Sequence, residues 1–443
     1  NCDWSSDVCS SDLNALTPVL ANVDEDAGGP VGAVGTAVSA LVAEGSGINN
    51  VADPDDPGLG IAITGLDTTN GQWHFSIDNG ASWSLVGGVA ANNALLLSAT
   101  NGRLYFEGNA DFNGTVSNAV TFLAWDEFTN VDWTGTNGTK ADTTLGFAET
   151  PFSAASDTAA VTVDAINDAP VNSVPGAQGV LEDATLTFNV GNSNLISISD
   201  VDEAGGLLTV DLSVSHGTLA LSGTTGLTGD TDGSDGVISV SGTLANLNAA
   251  LDGLSYTGLT DFSGVDTLSI TTNDQGNTGI DPGLTGDGSS EADSDNIAIT
   301  ITGENDFPTL ATPGLALTAV AEDAGGPVGA VGTAVSALVG NISDPDGPGV
   351  GIAVTGIDEA NGQWHFSTNN GTSWSLFSGV TTSNALLLSG TNGRVYFEPD
   401  ADFNGALGTA LQFVGWDESA GTNGTFADVT GGGRSEEHTS ELQ

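Results

Sequence analysis

The chain has 443 residues, with 57 Asp and Glu against 4 Lys and Arg, for a formal net charge of −53. Apolar residues reach 39%, enough to build cores, so disorder throughout is excluded; the charge repels phosphate backbones and anionic lipid, which excludes nucleic-acid partners. No apolar run approaches the roughly 18 residues of a membrane-spanning helix, and with 41 Asp to 16 Glu the acids are short carboxylates suited to loops, whose natural counterions are metal cations.

In chain order, residues 1–13 share no composition with the body of the chain and hold both cysteines, Cys2 and Cys9. With the tail 434–443 they resemble translated sequencing-adapter read-through, and both are read as non-native flanks. A body without Cys fits a secreted bacterial protein that does not rely on disulfides. The absence of Met marks the chain as an internal piece of a longer protein.

Self-comparison divides the body into three. Glu25–Val42 and Glu322–Val339 are the same eighteen letters, and the match continues through Gly71–Ser76 and Gly362–Ser367, Asp111–Gly114 and Asp402–Gly405, and Trp125–Glu127 and Trp416–Glu418. Repeat A spans 14–166 and repeat A′ spans 305–433, with a different repeat B at 167–304 between them. A′ stops before any counterpart of Ala159–Val163, the final strand of A, so its sheet is expected to show an unpaired edge.

All three repeats read as β. In B, Leu186, Phe188 and Val190 alternate onto one face, as do Leu208, Val210, Leu212 and Val214, and later Ile297, Ile299 and Ile301. Leu244, Leu247, Leu251 and Leu254 fall instead at helical spacing and predict a short helix across one end of a sandwich. The fold class is all-β, a tandem array of three β-sandwiches with the third truncated.

Three acidic signatures recur in fixed order. Glu-Asp opens each repeat (Glu25-Asp26, Glu182-Asp183, Glu322-Asp323), Asn-Asp-x-Pro marks each junction (Asn167-Asp168, Asn305-Asp306), and Asp-x-Asp comes third (Asp53 and Asp55, Asp200 and Asp202, Asp344 and Asp346). Calcium takes six to eight oxygens from flexible loops. No single loop here supplies them, but a junction that pools Glu25, Asn167, Asp168, Asp200 and Asp202, or Glu182, Asn305, Asp306, Asp344 and Asp346, does. The alternative is that these acids cap turns and stay solvated.

The order of Glu, linker Asn-Asp-x-Pro and Asp-x-Asp resembles cadherin repeats. Asn167–Val171, Leu181–Asp183, Thr224–Leu227 and Leu254–Thr257 are similar in wording to the cadherin-like and Ig-like repeats of giant bacterial surface adhesins, over nearly all of 14–433. Departures are the missing second linker Asn of the animal pattern and the missing Asp-Arg-Glu triplet, for which Asp126-Glu127 and Asp417-Glu418 are the nearest substitutes. The resemblance implies Ca2+ at the junctions, type I secretion and a place on the bacterial cell surface or outside the cell. It also implies a monomeric array that meets a host or abiotic surface, a glycan or neighbouring cells through the parent protein, in biofilm or attachment, with no membrane insertion.

Other motifs weigh less. Asp230-Thr-Asp232-Gly-Ser-Asp235-Gly has the look of a calcium loop with the wrong spacing for an EF-hand, and equally reads as a solvated hairpin. Ser76-Ile-Asp78-Asn-Gly80-Ala-Ser-Trp83 matches the Asp-box hairpin of sialidases, a folding device, and its copy at Ser367–Trp374 has Asn369 for Asp78. No nucleophile or base stands out, and near-identical repeats argue against a unique active site, so the chain is read as non-enzymatic. Trp73, Trp83, Trp125, Trp133, Trp364, Trp374 and Trp416 read first as core or sheet-face packing; a different function class, a carbohydrate-binding array through exposed Trp of A and A′, requires Trp73 and Trp83 to share one solvent-facing strip.

Overall fold

The computed structural model describes residues 12–13, 18–42, 51–52, 58–127, 135–145, 150–276, 291–311, 315–347 and 349–431. Asp53, Asp55, Trp133 and the tail 434–443 lie outside them. The chain forms two compact units, 1–176 with 187–256 and 267–298, and 177–186 with 257–266 and 299–443.

The molecule is all-β. In repeat A a six-stranded sheet runs Lys140–Ala141, Ala94–Ser98, Gly60–Leu66, Gly114–Trp125, Asp157–Asp164, Val23–Asp24, and a four-stranded sheet runs Thr36–Ala37, Arg103–Gly108, Gly71–Ser76, Ser84–Leu85. Ile61, Ile63, Leu95, Leu97, Val120 and Phe122 of the first share one core with Trp73, Leu104 and Phe106 of the second. The larger sheet is covered on its other side as well, by Trp125 and Phe152 against Ala62, Ala94 and Leu96. Two covered faces explain why Ala94–Ser98 reads as an unbroken apolar run rather than an alternating one.

Repeat A′ repeats this plan with four strands in each sheet. One runs Leu411–Trp416, Gly351–Ile357, Ala385–Ser389, Phe426–Ala427, the other Thr333–Ala334, Arg394–Pro399, Gly362–Ser367, Ser375–Leu376. Leu411–Trp416 is an edge strand among the described residues, as expected from the missing counterpart of Ala159–Val163.

In repeat B, Leu208–Ser213 pairs antiparallel with Val237–Gly242 on one side and with Gly264–Asn273 on the other. Leu208, Val210, Leu212 and Val214 are buried, as are Ile297, Ile299 and Ile301. The predicted helix is Leu244–Leu251, with Thr243 Oγ1 accepting from Asn246 N at its N-cap. Asn248 fastens it by accepting from Ile198 N (2.8 Å) and donating to Ile198 O (2.9 Å). Leu254 has already passed into the strand Leu254–Gly258.

One expectation is corrected. Val190 does not continue the inward row: the strand ends at Phe188 and Val190 is 66% exposed, because Asn189 accepts from Asn192 N and turns the chain. Within the flank read as 1–13, Asp12 and Leu13 pair with Ala52 and Val51, and Leu13 packs against the repeat A core; 1–11 lie outside the described residues.

The Asp-box hairpins serve the fold. Ser76 Oγ accepts from Gly80 N (2.8 Å), Asp78 Oδ1 accepts from Ser82 N (2.8 Å), and Trp83 Nε1 donates to Gly32 O (3.0 Å). Gly80 has φ +92°, and a Cβ there would collide with the Gly32 carbonyl. In A′ Asn369 Oδ1 takes the place of the carboxylate and accepts from Ser373 N at 2.9 Å. The hydroxyl and amide of Ser82 hold the Asp78 carboxyl down at about 2, from an ordinary 3.8. A depressed carboxyl contributes stability present above its unfolded value and lost as pH falls through its folded value. Between pH about 4 and 2 the Ser82 amide should therefore lose hydrogen-exchange protection, while the Ser373 amide, facing a neutral Asn, keeps its own. Equal loss at both would refute this role for the charge.

Candidate metal centres at the repeat junctions

The sheet topology delivers the acids. In repeat A the first strand runs parallel to the last, with Val23 and Asp24 opposite Val163 and Asp164. Glu25, the next residue, therefore sits beside the start of the linker, where its carboxylate accepts from Ile166 N (3.2 Å) and from Asn113 Nδ2 (3.1 Å to each oxygen). Past the linker, Val171 pairs with Ser199, so Asp200 and Asp202 leave their strand alongside Asp168. Asp274 comes directly after Gly264–Asn273 and closes the group from the neighbouring sheet.

Two carboxylate triads result, both within the first compact unit. Asp26, Asp111 and Asp168 each offer an oxygen, all within 4.8 Å of one another, and so do Asp200, Asp202 and Asp274. Backbone and amide donors stitch the triads together. Asp168 N donates to Asp202 Oδ2 (3.2 Å), Asp202 N to Asp200 Oδ1 (3.2 Å), Gly276 N to Asp274 Oδ1 (3.0 Å), and Asn167 Nδ2 to Asp274 Oδ2 (2.8 Å).

The second junction, within the second unit, reproduces this. Glu304 N donates to Glu182, Asp306 N to Asp346, Asp346 N to Asp344 Oδ1 (3.1 Å), Ser419 N to Asp417 Oδ1 (2.9 Å), and Asn305 Nδ2 to Asp417 Oδ2 (2.7 Å). Oxygens of Glu182, Asp306 and Asp346 converge within 4.8 Å, as do those of Asp183, Asp261 and Asp306. All ten residues singled out from the sequence thus sit at the two junctions. Asn167 and Asn305 present their amide nitrogens to a carboxylate and act there as clamps.

The ligand sets read from the sequence leave out Asp26, Asp111 and Asp274 at the first junction and Asp183, Asp261 and Asp417 at the second, although Asp26 and Asp183 stand in the Glu-Asp signature and Asp417 in the substitute for the missing triplet. A signal was present: Asp-Phe-Asn/Ser-Gly occurs at Asp111, Asp261 and Asp402, once per repeat. Asp26, Asp111, Asp183 and Asp261 all adopt left-handed backbone, with φ between 57° and 59°, a conformation Asp tolerates better than most residues.

The charge is not neutralised by the protein. Arg103 spends its guanidinium on Val34 O, Asn79 and Gly35 O, Arg394 does the same with Val331 O, Asn370 and Gly332 O, and Lys140 caps Gly87 O and Gly88 O. No cation among the described residues reaches a junction. Asp168 Oδ2, Asp200 Oδ2 and Asp306 Oδ2 are buried with no hydrogen-bond partner. Burial first, then the charges of Asp26, Asp202, Asp111 and Glu25, hold Asp168 above its ordinary range. Burial, then the hydrogen bond and charge of Asp202 and the charge of Asp274, push Asp200 up to about 7. Asp306 is raised by burial and by Asp261, Asp346, Glu182 and Asp183; Asp344 is raised by burial and by Asp417 and Asp346. Hard oxygen donors from several loops, with orphaned buried carboxylate atoms among them, fit a hard divalent cation.

The other candidates do not converge. Asp230, Asp232 and Asp235 each accept from the amide two residues on (3.0 Å each), as turn caps do. His74 Nε2 lies 2.6 Å from Glu107 Oε2, and His365 repeats this with Glu398 at 2.7 Å. The packing reading of the tryptophans holds, and the solvent-facing strip that the carbohydrate-binding alternative requires is absent among the described residues. Trp73, Trp125, Trp364 and Trp416 are at most 3% exposed, and Trp83 and Trp374 are half-buried, each against a tyrosine.

No protein-family model and no curated protein matches the sequence. Among solved structures, three immunoglobulin domains of titin are similar at TM-score 0.20 and 11% identity, over 78% of this chain and 83% of that one. The Yersinia pseudotuberculosis adhesin InvE is similar at TM-score 0.16 and 11% identity, over 59% of each chain. A β-glycosidase from Bacteroides vulgatus is similar at TM-score 0.16 and 10% identity, over 56% of this chain, which spans only 25% of that enzyme. Likeness at this level carries no argument about function, which rests on the junctions.

Asn167 is 2% exposed and Asp274 is 1% exposed, so removing the amide strands a buried carboxylate oxygen. Asn167→Ala should cost about 1–3 kcal/mol in urea unfolding with chelator present, and Asn305→Ala a similar amount. A loss within about 0.5 kcal/mol, typical of neutral surface changes, would show that the amides hold nothing in place.

Proposed function

We propose that the chain is a non-enzymatic, calcium-stiffened repeat region of a large secreted bacterial surface adhesin, acting as a spacer in surface or cell attachment. The observation that carries this reading is the duplication of one carboxylate constellation at two linkers, each with at least one buried oxygen lacking a donor and no protein cation in reach among the described residues. An acidic surface alone has no need to reproduce five hydrogen bonds at each junction.

Asp26, Asp111, Asp168 and Glu25 would hold Ca2+ on the side of repeat A, and Asp200, Asp202 and Asp274 on the side of repeat B. Glu182, Asp183, Asp261, Asp306, Asp344, Asp346 and Asp417 would do so at the second linker. The ion supplies positive charge where carboxylates about 4 Å apart repel by roughly 4 kcal/mol at an effective dielectric of 20. Extracellular modules of this kind bind at about 10⁻⁴–10⁻³ M, which millimolar calcium outside the cell fills.

Small-angle scattering with millimolar calcium and with chelator tests the reading. Calcium should raise the maximum dimension and leave circular dichroism unchanged, since each sandwich keeps its own core. Asp200→Ala with Asp202→Ala should give part of the chelated profile in the presence of calcium. Identical scattering in both buffers, together with no calorimetric calcium binding, overturns it.

A further inference from the structure

The opening glutamate of the sandwich is held differently at the two junctions. Glu25 and Glu182 are 4% and 7% exposed, and each accepts from the backbone amide just before the linker Asn, Ile166 N at 3.2 Å and Glu304 N. Beyond that bond they part. Asn113 Nδ2 lies 3.1 Å from both oxygens of Glu25, whereas Glu182 accepts from no side chain among the described residues. Correspondingly, oxygens of Glu182, Asp306 and Asp346 lie within 4.8 Å of one another, while Glu25 joins neither triad at the first junction.

One position separates the two arrangements. Asp111-Phe112-Asn113-Gly114 and Asp261-Phe262-Ser263-Gly264 form the same turn, with φ 57° at both Asp, positive φ at both Gly, and Phe112 N on Asn109 O matched by Phe262 N on Leu259 O. Each leads into a long strand, Gly114–Trp125 or Gly264–Asn273. Ser263 stands beside Glu182 as Asn113 stands beside Glu25: a Cβ at Gly303 would meet Ser263 at 3.2 Å and Glu182 Oε1 at 3.5 Å. The Asn amide is a donor long enough to bridge the carboxylate, and the shorter serine leaves Glu182 to the neighbouring acids.

We infer that this position, Asn113 or Ser263, sets the order in which the two linkers take up calcium. The inference rests on the calcium reading above. At the second linker Glu182 meets the ion with an oxygen already among the acids. At the first, Glu25 reaches the ion only by giving up the Asn113 amide, a charge-assisted hydrogen bond. Fewer carboxylates ready for the ion mean weaker binding, so the second linker orders at lower calcium than the first. Asn113 is thus a positioning residue that acts through Glu25.

Hydrogen exchange of the full chain across a calcium titration reads the two linkers separately. The amides of 304–306 should gain protection at roughly tenfold lower calcium than those of 166–168, the scale of one hydrogen bond to a charged group. Asn113→Ser should lower the midpoint of 166–168 by about tenfold and leave that of 304–306 in place. Ser263→Asn should raise the midpoint of 304–306 and leave that of 166–168 in place. Both positions are exposed turn residues, so neither exchange touches a core. Coincident or reversed midpoints in the native chain, or midpoints that the exchanges do not move, overturn this inference and leave the calcium reading standing. No calcium-dependent protection at either linker in any of the three chains overturns both.

Discussion

Like charges are forced together at the junctions by the connectivity of the sandwiches, with no cation among the described residues beside them. Parallel pairing of first and last strands fixes Glu25 against residue 166 and Glu182 against residue 304. Antiparallel pairing across the linker then fixes Asp200 against Val171 and Asp344 against Thr309. These positions cannot relax without unzipping strands whose inward residues fill the cores. Repulsion between the acids is therefore carried by the hydrophobic cores, and backbone amides and Asn side chains offset only part of it.

That constraint also explains where the chain's few cations go. Arg103 and Arg394 sit at equivalent positions on the smaller sheets, each tying a glycine-rich loop through two carbonyls and an Asn. A guanidinium at a junction would neutralise it permanently and with fixed geometry. On the proposed reading, leaving the clusters to a diffusible ion would make junction stiffness a property of the medium. The linker contributes Asn167 and Asp168, or Asn305 and Asp306, and the flanking sandwiches the remaining acids, at positions that recur in both junctions although repeat B differs from A in sequence.

Much of this was legible in the sequence because it repeats. Glu25, Asp168, Asp200 and Asp202 recur in the same order as Glu182, Asp306, Asp344 and Asp346, and alternation identified Leu208–Val214 and Ile297–Ile301. Asp26, Asp111 and Asp274 were not legible as members of the site. Their contribution arises from left-handed turns and from a strand end on another sheet: Asp26 and Asp111 recur once per repeat, but recurrence alone does not show that they converge on the linker. Val190 was misread because alternation continued one step beyond a turn set by Asn189. The tryptophans follow the packing reading: Trp73, Trp125, Trp364 and Trp416 are buried, and the strip that the carbohydrate-binding alternative needs is not there among the described residues.

The two A-type repeats separate what local sequence decides from what closure decides. Glu25 and Glu322 open the same eighteen residues, yet Glu25 is buried and Glu322 is exposed. Asp323 still accepts from Asp402 N at 2.9 Å, as Asp26 does from Asp111 N at 3.4 Å, so the local turn forms in both. Repeat A adds the strand Asp157–Asp164, which buries Leu20, Val23 and Phe122 and then runs directly into the linker that meets Glu25. One strand thus completes the hydrophobic core and delivers the backbone donor and Asp168 to the carboxylates. Sandwich closure and junction assembly are thereby coupled in repeat A, whereas in A′ Glu322, Asp323 and Asp402 still converge within 4.8 Å but all three are exposed.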